Sequence, residues 1–302
     1  MQQESLSLEE FQEKFSTEEA CQEHLFRMRW PRGYKCPRCA DDRYYFHRSR
    51  HLYECKACRY QVSLIAGTIF HGTRTPLRKW FWTIFLMARP KSGVSMLSLQ
   101  RMLKIKSYKT LWMMGHKIRK AMAERDTPYK LAGLVEMDDS YFGGSKPGKE
   151  GRGALGKAKV IVSVEDRGRK AGFAKMSKVD SMSGNNISRV VGDHLTDNSK
   201  VKTDGWTGYR SALKGQNVEH EYVVVASGKE APKLLPWVHT MLANIKGNIR
   251  GVYKGVANKH LQRYLDEFCY RFNRRFWEDQ LFERVLYACL NTPTVTYSEL
   301  KA

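Results

Sequence analysis

Four cysteines set the tightest constraint on how this chain can fold. Cys36-Pro37-Arg38-Cys39 and Cys55-Lys56-Ala57-Cys58 are two CxxC turns, with fifteen residues between Cys39 and Cys55. Each turn brings two thiolates to one side of the backbone, and the two together offer four at tetrahedral spacing. Thiolate is the soft ligand that Zn2+ prefers, so this stretch is expected to fold around an ion. The short β-like runs "RYYFHR" and "LYECKACRYQVSL" fit a zinc ribbon over residues 29–70, preceded by a helical segment at 1–28. Arg32, Lys35, Arg38, Arg43, Arg48, Arg50 and Arg59 flank the knuckles, with Tyr44, Tyr45 and Phe46 interleaved, a composition suited to DNA contact. Cys21, Cys269 and Cys289 lie on apolar helical faces and read as packing residues.

Charge points the same way. The net charge is +21, from 52 Lys and Arg against 31 Asp and Glu, while residues 1–30 carry a net −4. Such a field attracts polyanions and neutralises phosphates, so double-stranded DNA is the expected partner. The apolar fraction of 42% excludes a disordered chain, and 302 residues allow two or three domains. The longest apolar stretch, "WFWTIFLMA", is too short to cross a bilayer, and the acidic start lacks the apolar core of an export signal. The expectation is a cytoplasmic, nucleoid-associated protein with no membrane contact.

Residues 76–126 read as three helices, "PLRKWFWTIFLMAR", "SMLSLQRMLKI" and "SYKTLWMMGHKIRKAM". Only Lys104 to Ser107 separate the second from the third, and Ser107 is a natural N-cap. Leu111, Met114, Ile118 and Met122 form the apolar stripe of the third helix, leaving Lys109, Lys117, Arg119 and Lys120 on its other faces. This is the pattern of a helix-turn-helix whose last helix enters a major groove. A Gly- and Lys-rich stretch at 143–157 reads as a long loop.

From residue 131 onward strands and helices mix. "LAGLVEMDDSYF", "KVIVSVED" and "GFAKMSKV" read as three strands, "GNNISRVVGDHL" as a helix, and "SKVKTD" as a fourth strand. Two of these strands end in acids, Asp138 and Asp204. This is the element order by which ribonuclease-H-like folds set two strand-end aspartates side by side, where they bind a divalent cation such as Mg2+. Along the first strand, Asp138 shares a face with Glu136, whereas Asp139 falls on the apolar side with Val135 and Met137.

"VEMDDSYFGG", "KTDGWTGY", "LPWVHTMLANIKG" and "KHLQRYLDEFCYRFNRR", in this order, resemble the motifs of the ISXO-like insertion-sequence transposases. The resemblance runs from Cys36 to about Arg275. It implies a zinc ribbon, here followed by the helix-turn-helix segment, ahead of a DDE-type, ribonuclease-H-like α/β domain with a mixed sheet at 130–290, and a tail at 291–302. It also implies binding of terminal inverted repeats, 3′-end cleavage and strand transfer with Mg2+ or Mn2+, in a homodimer or higher assembly. Asp138 and Asp204 align with the first two acids. The family carries a glutamate seven residues before a lysine; here the lysine is Lys246, and His239 stands seven before it. Asn244 is the other candidate, on a different helical face from Lys246, and a site of two aspartates completed by substrate is the third option. Arg250, Lys254, Arg271, Arg274 and Arg275 are expected to follow the DNA backbone. The missing third acid leaves two alternatives open: an inactive zinc-ribbon regulator, and a nuclease of the same fold without strand transfer.

Overall fold

A computed structural model describes residues 6–89, 91–144, 156–224 and 231–301. Most of the expected 143–157 loop, residues 145–155, lies outside the described residues. The chain forms two compact units, the first built from residues up to Arg89, Met96–Glu124 and Trp277 onward, the second from Pro90–Ser95 and Arg125–Phe276.

The first unit opens with helices α1 (Leu8–Lys14) and α2 (Glu18–Arg29). Both begin where the sequence supplies a cap: Ser7 and Glu10 form a reciprocal capping box, and the Thr17 hydroxyl accepts from Ala20 N. Three short antiparallel strands follow, β1 (Tyr44–His47), β2 (Leu52–Cys55) and β3 (Gln61–Ser63). So small a sheet has almost no interior of its own. Aromatic rings from α2 and its exit compensate: Trp30 packs on Tyr53 at 5.3 Å between centroids and Tyr34 on Tyr44 at 4.8 Å.

Helices α3 (Leu77–Ala88), α4 (Met96–Leu103) and α5 (Tyr108–Asp126) supply the helical part. Pro76 leaves α3 without a cap of its own, and the Glu18 carboxylate accepts from Leu77 N and Arg78 N instead, at 2.7 and 3.0 Å. Phe11 stacks on Phe85 with centroids 4.0 Å apart and meets Phe282 edge-on at 5.1 Å. Phe282 belongs to α11 (Leu281–Asn291), which packs against α3. The α11 backbone also accepts from Ile69 N through Cys289 O at 3.2 Å. The resemblance implies a C-terminal domain running through to residue 290. The sheet-bearing unit instead ends at Phe276, because the apolar face of α11 finds its partners among the N-terminal helices.

The second unit is a five-stranded mixed sheet of β4 (Leu134–Phe142), β5 (Ala158–Asp166), β6 (Ala171–Val179), β7 (Ser199–Thr203) and β8 (Val218–Tyr222). Its strand order is β6-β5-β4-β7-β8. β4, β5 and β6 pair antiparallel, whereas β4–β7 and β7–β8 are parallel. Parallel neighbours need a crossover, and α6 (Gly184–His194) and α7 (Thr207–Leu213) provide two on one face. Their apolar sides bury Val135, Met137, Ile161 and Val201. After the single turn α8 (Ala231–Leu234), α9 (Pro236–Gly251) and α10 (Leu261–Asn273) cover the other face over Val160, Val162, Val164 and Met176. The one-residue alternation between Ile161 and its neighbours is the period-2 signature of a strand buried on both faces. With β4 central and flanked by one antiparallel and one parallel neighbour, this is a ribonuclease-H-like sheet.

Candidate active site and metal centre

The four cysteines form a cage. Ala40 and Arg59, each following the second cysteine of a knuckle, both have φ of 61°. Each donates its N–H back to the first cysteine's carbonyl, Ala40 to Cys36 at 2.9 Å and Arg59 to Cys55 at 3.0 Å. The two knuckles are therefore one turn used twice, facing each other across the β1–β2 hairpin. Cys36 Sγ lies 3.6 Å from Cys58 Sγ, Cys39 Sγ lies 3.5 Å from Cys55 Sγ, and all four sulfurs fall within 4.8 Å of one another. Sulfurs about 2.3 Å from a central Zn2+ sit about 3.8 Å apart in a tetrahedron, so the cage fits zinc. Cys21, Cys269 and Cys289 are buried in helices, away from it.

The acids meet on the sheet. The β4–β7 ladder pairs Glu136 with Lys202; two residues further along stand Asp138, which lies midway along β4 rather than at its expected end because the strand runs on to Phe142, and Asp204, the first residue past β7. Neighbouring strands run about 4.8 Å apart, so the parallel register sets both carboxylates at one level, at the edge where β7 ends. Asp204 Oδ1 accepts from Trp206 N at 3.1 Å and Asp138 Oδ1 from Asp139 N at 2.7 Å, so one oxygen of each is held by the local backbone.

Across the face, α9 presents His239, whose Nε2 is 3.9 Å from Asp138 Oδ2. That is beyond a hydrogen bond, and Nε2 is buried with no bonded partner among the described residues. Burial, reinforced by Lys246, holds the imidazole below its ordinary pKa and so keeps it neutral near pH 7. Lys246 is two turns along the same side of α9, with Nζ 5.6 Å from the Phe142 ring centroid. Burial lowers its pKa while Asp138 opposes that shift. Asn244 is exposed on another side of the helix. Among the described residues, the cysteine cage is the one place where three or more Cys, His, Asp or Glu ligand atoms crowd within 4.8 Å.

Strand alternation puts Glu136 on the same face as Asp138 without indicating a task for it. The structure buries it completely, with Oε2 accepting from both Trp237 N and Val238 N at 2.9 Å. Burial pushes its carboxyl up to about 7, aided by nearby Asp166 and opposed by the two N–H donors. A signal existed in "LLPWVH": a helix starting at Pro236 without a Ser, Thr, Asp or Asn cap needs an acceptor from elsewhere.

Several of the expected DNA-contacting residues are committed to the interior. Lys117 and Arg119 are buried in α5, with Lys117 Nζ donating to Ile69 O at 3.3 Å. The middle of α5, from Met114 to Met122, is enclosed almost all round and does not present a groove-reading face. Arg271 is buried, 3.4 Å from Glu267 and donating to Lys91 O at 3.0 Å. Arg274 grips Asp126 with both terminal nitrogens and lies over the Tyr270 ring at 3.6 Å. Arg275 donates to the carbonyls of Ala171, Gly172 and Phe272. These five are corrections: Arg119 is enclosed in the core, and Lys117, Arg271, Arg274 and Arg275 donate to partners the sequence does not show to be near. Lys120 is half-buried, shared between Glu124 and Pro293 O. Lys109, Arg250 and Lys254 are exposed, Lys109 with Nζ 3.8 Å from the Tyr297 ring centroid. Among the described residues no helix is long and apolar enough to cross a membrane.

A four-thiolate ribbon followed by a ribonuclease-H-like sheet with aspartates on adjacent parallel strands is the arrangement of a transposase, and the family comparisons agree. Residues 130–273 match the ISXO2-like transposase domain, and residues 16–61 match the transposase zinc-ribbon domain. The chain thus carries an ISXO2-like transposase domain behind a transposase zinc ribbon. It is 27% identical over 233 residues to an uncharacterized protein in transposable element ISH50 of Halobacterium salinarum, covering 71% of this chain and 76% of that protein. Solved structures overlap more loosely. A paired-end complex of the Mos1 transposase with its left transposon end has a TM-score of 0.26 at 12% identity, over 65% of this chain and 75% of that one. A simian T-cell lymphotropic virus intasome has a TM-score of 0.30 at 10% identity, over 57% of this chain and 63% of that one.

Proposed function

We propose that this transposase binds the terminal inverted repeats of its element, cleaves their 3′ ends and joins them to target DNA at a centre made by Asp138, Asp204 and His239. The observation that carries the reading is a buried, unbonded imidazole nitrogen 3.9 Å from the Asp138 carboxylate, with Asp204 at the same level of the parallel β4–β7 ladder. This donor set suits a divalent cation, Mg2+ or Mn2+. Asp138 Oδ2 and His239 Nε2 are 3.9 Å apart; neighbouring ligands at about 2.1 Å in an octahedron sit about 3.0 Å apart, so a bound ion would draw the two together by about 0.9 Å. Bound there, the ion would supply Lewis acidity at a scissile phosphate and a more acidic attacking hydroxyl.

The chain's own groups divide the remaining work. Neutral His239 keeps a lone pair available, and the backbone bonds to Asp138 and Asp204 hold their other oxygens in place. Lys246 places a cation beside Asp138, where it would hold a DNA phosphate, and exposed Arg250 and Lys254 of the same unit would extend that contact along the backbone; exposed Lys109 would contact DNA from the helical segment. The ribbon (29–70) and helical segment (76–126) would recognise the ends, ahead of the catalytic part beginning near residue 130. Joining two ends requires both in one complex, so the active form is a dimer or larger.

The test is incubation of the full chain with duplexes carrying the element's terminal repeats and Mg2+ or Mn2+. Nicked 3′ ends and joined products should form, and both should vanish in Asp138→Ala and Asp204→Ala. Joined products in either variant would refute the site. Nicks without joining would make the protein a nuclease, and binding without cleavage an inactive regulator. Loss of cleavage in Asn244→Ala but not in His239→Ala would move the third ligand to Asn244.

A further inference from the structure

The start of α9 is held by a residue from the far side of the unit's sequence. Its N-cap, Leu235, makes no side-chain cap, and Pro236 at the first helical position has no N–H. The first donors without a helical partner are thus Trp237 N and Val238 N, and both go to a single atom, Glu136 Oε2, at 2.9 Å each. His239 N, the next along, already bonds back to Leu235 O at 3.1 Å. One strand carboxylate therefore closes the hydrogen-bond accounting of the helix start. The Trp237 indole adds a second tie, donating to Asp166 Oδ1 at 3.1 Å at the end of neighbouring β5.

We propose that Glu136 is a positioning residue for His239: by fixing the first turn of α9 on β4, it sets the distance from the imidazole to Asp138. The inference rests on the reading of Asp138 and His239 as active-site partners. Glu136 and Asp138 lie two residues apart on the same strand face, about 7 Å along the chain. Val238 and His239 are consecutive on α9. Pinning Val238 over Glu136 thereby brings His239 to the level of Asp138, and on α9 itself the Trp237 indole bond to Asp166 supports that register from the neighbouring strand.

A plain helix cap is the simpler account, and the burial argues against it. Glu136 is 0% exposed, and its Oε1 has no hydrogen bond among the described residues. A desolvated carboxylate at half its bonding capacity is an expensive cap; Ser or Asn at position 235 would satisfy the same donors from within the helix. What such a local cap cannot do is tie the helix to the strand that carries Asp138.

The experiment uses full-length protein labelled with 15N-histidine, free of divalent metal and DNA, with the signal of His239 among the nine histidines assigned by His239→Gln. Asp138→Asn should move the His239 resonance. Glu136→Ala should move it too, as should Glu136→Asp, which keeps the carboxyl group but loses one methylene of reach; the signals of His194 and His220 should stay in place. In the cleavage assay, Glu136→Asp should be at least tenfold slower, and combining it with His239→Ala should be no slower than His239→Ala alone. A His239 resonance indifferent to Asp138→Asn, or to both Glu136 variants, would overturn the proposal, as would effects that multiply in the double variant. An unimpaired His239→Ala protein would sink the ligand reading instead, and the resonance would still decide the positioning.

Discussion

His194, the last residue of α6, is buried with both ring nitrogens bonded: Nδ1 to Ser163 Oγ at 2.8 Å and Nε2 to Ser177 Oγ at 2.7 Å. A neutral ring can donate through one nitrogen and accept at the other, and the two hydroxyls can satisfy both roles. Burial, with Lys175 nearby, lowers its pKa from an ordinary 6.5 to about 3. The folded-state value is depressed, so this group's contribution to stability is complete above pH 6.5 and is lost as the pH falls toward 3. Over that window the loss approaches about 1.4 kcal/mol per pH unit, so lowering the pH from 7 to 5 removes about 2 kcal/mol. Because β5 and β6 carry the two serines, the loss falls on the sheet that supports Asp138. Hydrogen exchange of β5 and β6 amides, corrected for intrinsic rates, should show opening roughly thirtyfold more frequent at pH 5 than at pH 7. His194→Gln removes the titrating group while every other acid and base remains. Its own loss between the two pH values should be smaller than wild type by about 2 kcal/mol. If variant and wild type weaken equally, His194 is not neutral in the fold and the reasoning fails.

Cys36→Ser takes one thiolate from the cage; metal analysis should find about one zinc per chain in the wild type and a strong reduction in the variant, with loss of the ribbon's ordered structure. A variant that keeps its zinc would refute the four-thiolate site. Arg274→Ala strands Asp126 half-buried, so it should cost about 3 kcal/mol and lower Tm by several degrees, with DNA affinity per folded molecule unchanged. Lys254→Ala should do the reverse, leaving Tm in place and reducing the slope of log affinity against log salt by about 1. If the two variants exchange behaviours, the division between interior and DNA-facing cations is wrong.

Features with a local cause were legible in the sequence. Each CxxC turn closes within five residues, and the cage needs only that the two turns meet. Alternation along β4 separated Asp138 from Asp139 because a strand's side chains must change faces at every residue. The parallel register that levels Asp138 with Asp204 followed from the order of elements, and the spacing of His239 and Lys246 from the helical period.

What the sequence could not yield were partnerships across long separations. Lys117, Arg119, Arg271, Arg274 and Arg275 have the composition of a DNA-binding face, yet Arg274 meets Asp126 across 148 residues and Arg275 meets Gly172 across 103. An amphipathic cation's stem packs as readily inside as its head solvates outside, so the decision falls to whichever acceptor the fold delivers. α11 is as apolar as a helix of the sheet domain, and only tertiary packing assigned it to the N-terminal unit. Glu136 shows the same division. Its place on the strand is written in the local pattern, but its hold on α9 spans 101 residues, and only the closed fold brings that helix start within reach.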